Sequence, residues 1–555
     1  MKKVGILLNS TKCNKYIYQT FKELANSNQI ELFVLISKRP PESSKKRLIS
    51  RLNINNLFKN AGRVLFRLVK SVELKILSGD SQAVREHAKT FSLEEFIKND
   101  IIHLNPKFSP SGLVVRYTEG DIEKIKSLDL DFIIRGSAAG IFKGEILSAS
   151  KIGLISFHHG DNRWNRGGPA GFWEVYLQRP STGFIIQLLS EELDGGSVIF
   201  RGEVATCKSF TENQIRLFNE SNPFMAKIIL DYAATDRIPP LQEDTPFGEA
   251  LLIAPSLGQT IKYAYRTSRI CLSKVIDLFI FGKRWRWGVA YVRGSWKTSV
   301  LRKGIRIKNP PKRAFSNPFI IKKDGRTVVY VEDYCFRKKK GQITAVEIKD
   351  RKNYEILGPV IEESFHLSFP YLFSYENALY MIPETSGTDS IRLYKCLEFP
   401  SKWAYQKDIL SGVNAAGSMI FNHHDQWWLL TNMTSKNNKD LCSKLYAYHG
   451  DNPLSDHWIA HEQNPLVFNS NVARNGGILN LKQDFPVRVR QKQGFDMYGA
   501  SLTLARITDL TPSAFKEEKI GEVPPKFFPK IHGCHHIDSN NEFTVYDFVK
   551  KDRLK

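Results

Sequence analysis

A strand-like apolar run that leads into a polar, glycine-rich loop constrains the fold of this chain more than any other feature. Residues Ile152–Phe157 have the apolar character of a buried β-strand, and His158 follows them directly. The loop then passes through Arg166-Gly-Gly-Pro169, and a second glycine-rich turn, Leu193-Asp-Gly-Gly196, comes later. Because ligands of α/β proteins bind outside the carboxyl ends of the strands, this order predicts a site where an imidazole and the Asp194 carboxylate meet.

Strand and helix signals alternate over residues 1–240, as they do in proteins with a parallel sheet. Predicted strands are Val4–Leu8, Ile30–Ile36, Asp131–Ile134 and Ile152–Phe157, and predicted helices are Lys15–Asn26 and Phe142–Ala149. The third of these strands ends in Arg135-Gly-Ser-Ala-Ala-Gly140, a loop of small residues. We therefore expect a Rossmann-like, doubly wound α/β domain with Gly136 and His158 at the same edge of its sheet.

These motifs resemble the formyltransferase family that takes its one-carbon unit from 10-formyltetrahydrofolate. The family signature reads approximately Gly-x-x-Asn-x-His, then Arg-Gly-x-x-Pro, then Leu-Asp-x-Gly, and the resemblance covers most of residues 1–205. It implies that His158 is the hydrogen-bond donor or proton shuttle and that Asp194 fixes its tautomer and favours its charged form. It also implies that the donor substrate is bordered by Gly136, Ser137, Arg166, Gly167 and Gly168, and no metal is expected.

One position departs from that signature. Ser156 stands where the family has its asparagine, and a hydroxyl donates one hydrogen bond with a shorter reach than an amide. Losing one oxyanion donor costs roughly 10²–10³ in rate. Ser156 is therefore a third candidate catalytic residue, and both active formyl transfer and a repurposed pocket stay open.

From about residue 288 the pattern changes to evenly spaced strands. A turn followed by aromatic and β-branched residues recurs around Asp324, Glu376, Asp425, Asp484 and Asn541. A spacing of roughly 50 residues with hairpin turns is typical of the blades of a β-propeller. Five copies predict a five-bladed, all-β domain over 288–555, although the spacing alone leaves a β-sandwich open.

A second resemblance covers about residues 300–550. It rests on Ser316-Asn-Pro-Phe-Ile, Phe365–Pro370, Tyr380–Ser386 and Gln426–Trp428. These segments resemble the propeller that precedes the transferase domain in plant glucosamine inositolphosphorylceramide transferases, which in turn resembles five-bladed glycosidases. The candidate sugar-binding residues in this domain are Glu332, His366, Glu384, Arg474, Arg488 and Gln491. Asn317-Pro318 stands where the glycosidases have Asp-Pro, so hydrolysis by two carboxylates is not expected.

Two segments combine basic with apolar or aromatic residues. Within residues 38–77, one helical face is predicted to hold Lys59, Arg63, Arg67 and Lys70, and the opposite face Ala61, Leu65, Leu68, Val72 and Ile76. The segment Ile261–Trp287 is predicted to be a connecting helix that closes with Arg284-Trp-Arg-Trp287. Each segment either packs on a domain with a solvated basic face or lies on an anionic membrane or a lipid-linked substrate.

Composition narrows the class of protein. The net charge of +23 suits an anionic surface or substrate, and no nucleic-acid motif accompanies it, so nucleic acid is not an expected partner. No apolar run approaches the ~20 residues of a membrane-spanning helix. The seven cysteines are scattered without CxxC spacing, so neither a zinc module nor a disulfide framework is expected. The cytoplasm, including the inner face of the membrane, is the simplest location.

Taken together, the sequence predicts a formyltransferase-like domain at 1–240, a helical basic and aromatic linker at 241–287, and a propeller at 288–555. The favoured function is formylation of an amino group on a sugar during surface-glycan assembly, with a lipid- or nucleotide-linked acceptor. The alternatives are a glycan-binding protein and a propeller that acts as a glycosyltransferase. A methionyl-tRNA formylase is less favoured because a propeller replaces the small carboxyl-terminal barrel expected there.

Overall fold

The structure is a computed structural model that describes residues 1–38, 54–79, 82–242, 247–385, 387–434, 440–481 and 485–554, without the side chains of residues 54–60. The predicted turn at Asp484, Ser386 and the side chain of Lys59 lie outside the described part. The chain divides into two compact units, Met1–Arg269 and Ile270–Lys555. The boundary falls inside a helix that runs from Leu257 to Phe279.

The first unit contains twelve strands among its described residues. They are β1 Lys2–Leu8, β2 Lys12–Asn14, β3 Ile30–Ser37, β4 Thr90–Ser92, β5 Ile102–Leu104, β6 Lys107–Phe108, β7 Val114–Arg116, β8 Phe132–Arg135, β9 Ile141–Phe142, β10 Gly153–His158, β11 Ser181–Leu188 and β12 Ser197–Ala205. The helices, the last of which continues into the second unit, are α1 Lys15–Ala25, α2 Ile54–Ser78, α3 Gln82–His87, α4 Glu119–Lys126, α5 Phe172–Tyr176, α6 Phe210–Ser221, α7 Pro223–Thr235 and α8 Leu257–Phe279.

Seven of these strands form the main sheet, in the order β12-β11-β10-β8-β1-β3-β5. The neighbouring pairs β5–β3, β3–β1, β1–β8 and β8–β10 are parallel. The pairs β10–β11 and β11–β12, at one edge of the sheet, are antiparallel. The mostly parallel sheet expected from the sequence is therefore confirmed. The chain moves outward from β1 through β3 and β5 and then returns to β8 on the other side of β1. Ligands bind at such a switch point in the strand order.

The strands form where the sequence supplies continuous apolar runs. Residues such as Leu7, Ile133 and Leu154 have no exposed surface, as expected for strands covered on both faces. The predicted helix at Phe142–Ala149 is wrong, because the segment forms the end of β9 and a 3₁₀ turn at Glu145–Ser148. Gly144 between them has a φ of 84°, which a right-handed helix does not allow.

The second unit is built from strands. They are β13 Lys283–Arg293, β14 Ile305–Arg306, β15 Arg313–Lys323, β16 Arg326–Cys335, β17 Lys340–Ile348, β18 Tyr354–Ile361, β19 Ser368–Tyr375, β20 Ala378–Glu384, β21 Ser390–Glu398, β22 Lys402–Ser411, β23 Asn414–His423, β24 Gln426–Thr434, β25 Lys444–Gly450, β26 Ile459–Ala460, β27 Val467–Phe468, β28 Asn475–Leu479, β29 Val487–Gly494, β30 Met497–Leu510, β31 Phe515–Val523, β32 Ile537–Ser539 and β33 Phe543–Arg553. The described strands form five antiparallel sheets, and one of them joins β13 to β33 along their whole length.

The five sheets contact one another in a cycle. One strand of each takes part, in the order β15, β19, β23, β28 and β32, and β32 returns to β15. The predicted turns at Asp324, Glu376, Asp425 and Asn541 are confirmed, since each lies between two paired strands with φ between 48° and 71°. Arg284–Trp287 was expected to close a helix and instead belongs to β13, because α8 ends at Phe279 and Gly282 (φ 59°) turns the chain.

Candidate functional site

His158 and Asp194 are in contact in the first unit. His158 is the last residue of β10, and Asp194 lies in the turn between β11 and β12 with a φ of 48°. The imidazole Nδ1 is 3.1 Å from Asp194 Oδ2, and the Gln187 side-chain amide donates to Asp194 Oδ1 at 3.3 Å. The imidazole is nearly buried. The antiparallel pairing of β10 with β11 thus brings together two residues that are far apart in the sequence.

The second ring nitrogen of His158 also has a partner. Nε2 is 2.6 Å from the backbone carbonyl of Asn165. A carbonyl can only accept, so Nε2 carries a proton, and Nδ1 donates to Asp194 only if it is protonated as well. Burial lowers the pKa of His158, but the hydrogen bond and the charge of Asp194 outweigh it, so the pKa is raised above its ordinary value. Both ring nitrogens thus face an acceptor, an arrangement that favours the doubly protonated, charged form of the ring.

Glu174 is a neighbouring carboxyl group that the sequence reasoning missed. It lies on α5, is fully buried, and accepts from the Asn165 side-chain amide at 3.4 Å. Its Oε2 has no hydrogen-bond partner among the described residues, and burial raises the pKa of Glu174 to about 7. A carboxylate inside the apolar run Phe172-Trp-Glu-Val-Tyr176 was the available signal, because such a residue is rarely buried without a partner.

A cleft of about 400 Å³ opens at the switch point between β1 and β8. Gly136 and Ser137, which follow β8, line it together with Ser156. The backbone N–H of Asn9 donates to Ser137 Oγ at 3.0 Å, and the Asn9 side-chain amide donates to the Ser137 carbonyl. A Cβ on Gly136 would lie 2.5 Å from Leu8 Cδ2 and 3.1 Å from the Leu7 carbonyl oxygen, so glycine lets this turn lie against β1 without displacing the Leu8 side chain.

Ser156 and His159 bring polar groups to the wall of the same cleft. The Ser156 hydroxyl donates to the Phe157 carbonyl at 3.0 Å, so it is already engaged. His159 is packed against the rings of Phe157 and Phe218, with centroids 4.9 and 4.4 Å away. Burial, and then the charge of His158, lower the pKa of His159 to about 3, and its ring stays neutral. Of these two residues, the sequence singled out Ser156 as a candidate catalytic residue.

The predicted residues Arg166, Gly167 and Gly168 lie in the loop after β10 and do not line this cleft. Arg166 Nε donates to the Asn162 carbonyl at 3.1 Å. The Gly168 N–H donates to the Leu252 carbonyl at 2.9 Å, and a Cβ on Gly167 would lie 1.8 Å from that oxygen. Gly167 therefore lets a later segment of the chain cover the loop, whereas a Cβ on Gly168 would have no contact closer than 3.9 Å.

A cavity of about 460 Å³ in the second unit brings together four of the six predicted sugar-binding residues. They are Glu332, His366, Glu384 and Arg474, and the aromatic side chains around them are Trp285, Trp287, Tyr334, Phe336 and Tyr498. Arg474 donates to Glu384 at 2.7 Å, and the backbone N–H of Gly417 donates to the same carboxylate at 3.3 Å. This pair is largely buried.

Glu332 is the second carboxyl group of the cavity. It accepts from Ser316 Oγ at 2.7 Å and from the Asn317 side-chain amide at 3.0 Å, and burial raises its pKa. His366 Nδ1 accepts from the Gly341 N–H at 2.8 Å, so a neutral ring carries its proton on Nε2, which is 3.6 Å from Glu332. Asn317 thus donates a hydrogen bond to Glu332, and it occupies the position at which the five-bladed glycosidases have an aspartate.

Arg488 and Gln491 do not reach the cavity. Arg488 is fully buried and forms two hydrogen bonds with Glu517, at 2.9 and 2.7 Å, with further bonds to the carbonyls of Val472 and Ala473. The Gln491 side-chain amide donates to the Asn475 carbonyl at 2.9 Å. Both residues join strands of the sheet. Their sequence context does not differ from that of a ligand-binding arginine or glutamine, so the pattern could not separate the two roles.

No helix of the described part of the chain is long and apolar enough to cross a membrane. The same residues contain no group of three or more histidine, cysteine, aspartate or glutamate side chains that could hold a metal ion.

Comparison with known proteins identifies two separate similarities. Residues 304–529 match the family described as glucosamine inositolphosphorylceramide transferase 1, N-terminal. The rice protein of that name (Oryza sativa subsp. japonica) is 28% identical over 237 residues, which cover 41% of this chain and 32% of the relative. The methionyl-tRNA formyltransferase of Clostridium beijerinckii is 24% identical over 190 residues, which cover 34% of this chain and 61% of the relative.

The solved structures include a 4-N formyltransferase from Francisella tularensis. It is 14% identical, has a TM-score of 0.25, and its match covers 45% of this chain and 76% of the other. The chain thus spans about a third of the rice relative and less than two thirds of the clostridial one. It combines a formyltransferase-like domain with a domain like the N-terminal part of glucosamine inositolphosphorylceramide transferase 1.

Proposed function

We propose that the first unit transfers a formyl group from 10-formyltetrahydrofolate to an amino group of a sugar during the assembly of a surface glycan. The pairing of His158 with Asp194 is the observation that carries this proposal. Neither side chain lines the cleft at the switch point, whereas Phe157 and His159, the chain neighbours of His158, do. In the reaction, the amine nitrogen bonds to the formyl carbon, the bond from that carbon to N10 of the folate breaks, and N10 gains the proton that the amine loses.

His158 contributes positive charge to this reaction. The carbonyl of the formyl group becomes an oxyanion in the tetrahedral intermediate, and a preorganised N–H donor stabilises it. The Nε2–H of His158 now donates to Asn165, so the formyl oxygen has to replace that carbonyl. Asp194 keeps the ring charged while this exchange takes place. Ser156 adds a donor only if its hydroxyl turns away from the Phe157 carbonyl.

The second unit is proposed to be a five-bladed propeller that holds the glycan. Its five sheets and their cyclic contacts support this architecture. The cavity combines aromatic rings with a buried Glu384–Arg474 pair and the Glu332 carboxyl, as sites for sugars do. The acceptor would be lipid- or nucleotide-linked, and the protein would work in the cytoplasm or at the inner face of the membrane.

The test is release of tetrahydrofolate from 10-formyltetrahydrofolate in the presence of a panel of nucleotide-linked amino sugars. We expect release with at least one acceptor, and a fall of about 10²-fold or more in His158→Ala and Asp194→Asn. Asp231→Asn is the matched control, because Asp231 lies in the same unit as an exposed partner of Lys227. Unchanged release in both active-site variants would refute the assigned roles.

A second candidate function rests on the engaged donors of the first unit. Both N–H groups of His158 and the Ser156 hydroxyl already have acceptors inside the protein. If the pocket is repurposed, the propeller binds the glycan or transfers a sugar by itself. Glu384→Gln should then abolish glycan binding or sugar transfer, whereas His158→Ala should leave both unchanged.

A further inference from the structure

Helix α2 exposes a stripe of large apolar side chains. Val64, Leu68, Val72 and Ile76 are each between 55 and 70% exposed. They are four residues apart, so they follow one another along one side of the helix. Leu68, Val72 and Ile76 belong to the predicted apolar face, and these three side chains do not pack on the domain, which was one of the two alternatives for this face.

The helix packs against the first unit through other residues. The Phe66 ring lies 5.2 Å from the rings of Phe172 and Phe210. Glu73 accepts from the backbone N–H of Thr211 at 2.9 Å and also from the Tyr263 hydroxyl of α8. Lys70, expected on the solvated basic face, is half-buried and donates to Gln214 at 3.0 Å. The apolar stripe is therefore an additional face, separate from the one that anchors the helix.

The exposed side of α2 is basic as well as apolar. Arg63, Arg67 and Lys75 are exposed, and each directly precedes a residue of the apolar stripe. Glu73 is the single acidic residue between Ile54 and Ser78, and its carboxylate points into the protein. The outer side of the helix thus combines apolar groups and positive charge without a compensating negative charge.

The neighbouring turns of α8 have the same character. Tyr263 of α8 contacts Glu73 of α2, so the two helices are adjacent within the first unit. Ile261 and Tyr265 are 54 and 64% exposed, and the nearby Lys262 is exposed too. Two adjacent helices therefore expose apolar side chains next to basic ones.

We propose that α2, together with the adjoining turns of α8, docks this protein on an anionic membrane surface. Apolar side chains that enter the interface and lysines or arginines that meet lipid phosphates are the two parts of interfacial binding. A second copy of the chain fits less well, because a two-fold contact would bring Arg63, Arg67 and Lys75 against the same cations of the partner. The proposal does not depend on formyl transfer.

The experiment is co-sedimentation of the full chain with vesicles of phosphatidylcholine alone or mixed with phosphatidylglycerol. We expect binding to the mixed vesicles, at least tenfold weaker binding to the neutral ones, and weakening by salt. Leu68→Glu with Val72→Glu should reduce binding at least tenfold. Leu397→Glu is the control, since Leu397 is equally exposed on β21 and should have no effect.

A second double variant keeps the test informative if the first one does not fold. Arg63→Gln with Arg67→Gln keeps the apolar stripe and should lower binding to the mixed vesicles while the melting temperature stays unchanged. Absence of binding by the unaltered protein, or binding by both double variants that is as strong as that of the unaltered protein, would overturn the proposal. A concentration-dependent dimer that the Leu68→Glu, Val72→Glu protein no longer forms would assign the stripe to self-association instead.

Discussion

At the scale of single residues, two hydrogen-bond acceptors determine the protonation of the His158 imidazole. Asp194 compensates the cost of burying a charged ring, and the Asn165 carbonyl fixes the proton on Nε2. In the proposed reaction the doubly protonated imidazole is a hydrogen-bond donor, and it cannot serve as a base until it has lost a proton. The sequence predicted the pair because each residue ends a strand or occupies a glycine-rich turn. It could not predict the contact with the Asn165 carbonyl, because every residue has a backbone carbonyl and the residue types do not indicate which one accepts.

Replacing Asp194 by asparagine should neutralise His158. The amide keeps the size of the side chain but removes the charge that opposes desolvation of the imidazolium, so the pKa of His158 should fall below its ordinary value. A pH titration of the ring signals by NMR measures this, with His158→Gln used to assign them. A His158 pKa that stays raised in Asp194→Asn would show that another group holds the charge.

Glu174 should make stability depend on pH. Its pKa is about 7 in the folded protein against an ordinary 4.5, so the folded state binds the extra proton between these values. Stability from this group is full below about 4.5 and is lost as pH rises through about 7. Glu174→Gln removes this pH-dependent loss of folding stability, because glutamine does not ionise. It should stabilise the protein at pH 8 by on the order of 2–3 kcal/mol, with little effect at pH 4.5.

Denaturant unfolding at the two pH values gives the measurement. The stabilisation by Glu174→Gln must grow with pH, because the glutamine cannot ionise. A difference that is the same at both values would mean that Glu174 does not change its protonation in this range.

At the scale of elements, the loop after β10 depends on a close approach that only glycine allows. Gly167 and Gly168 meet the Leu252 backbone, which covers the loop. The sequence predicted a close approach to a ligand at these glycines, and the structure has a later segment of the same chain there. The strands around the loop were predictable from their apolar runs. The 3₁₀ turn at Glu145–Ser148 was not, because the apolar spacing there also fits a helix.

Gly167→Ala should destabilise the first unit. The new Cβ would lie 1.8 Å from the Leu252 carbonyl oxygen, and backbone on both sides has to move. We expect a loss of about 1–3 kcal/mol in thermal or chemical unfolding. Gly120→Ala on α4 is the matched control with the opposite sign. It meets no atom within 4 Å and should stabilise its helix by about 0.5–1 kcal/mol. Equal effects of the two substitutions would contradict the packing described for the loop.

At the scale of the whole molecule, the second unit is held together by contacts between distant parts of the chain. The long strands β13 and β33 pair along their whole length. The sequence predicted the repeated strands, because each hairpin turn and its flanking residues are local. It could not predict the pairing of β13 with β33, since residues so far apart carry no mutual pattern, and it assigned part of β13 to a helix.

Substitution of Asp547 tests the contacts that β33 makes with distant parts of the second unit. It is fully buried on β33 and accepts from the backbone N–H groups of Asn317, His535 and His536 at 3.2, 2.8 and 3.0 Å. Asp547→Ala leaves three buried donors without their acceptor and should cost about 3 kcal/mol or more. Asp552→Ala is the control on the same strand, because Asp552 is only partly buried and pairs with Lys550, and it should change stability by less than about 0.5 kcal/mol. Similar losses in the two variants would argue against a central role for Asp547.

The product made by the first unit distinguishes formyl transfer from ligand binding alone. The most direct measurement is mass spectrometry of amino sugars after incubation with the full chain and 10-formyltetrahydrofolate whose formyl carbon carries an isotope label. We predict a sugar with the labelled formyl group on its amino nitrogen, formed by the unaltered protein and not by His158→Ala. If no amino sugar of the panel gains the label while the protein is folded and the donor is intact, formyl transfer is contradicted and a pocket that only binds is favoured.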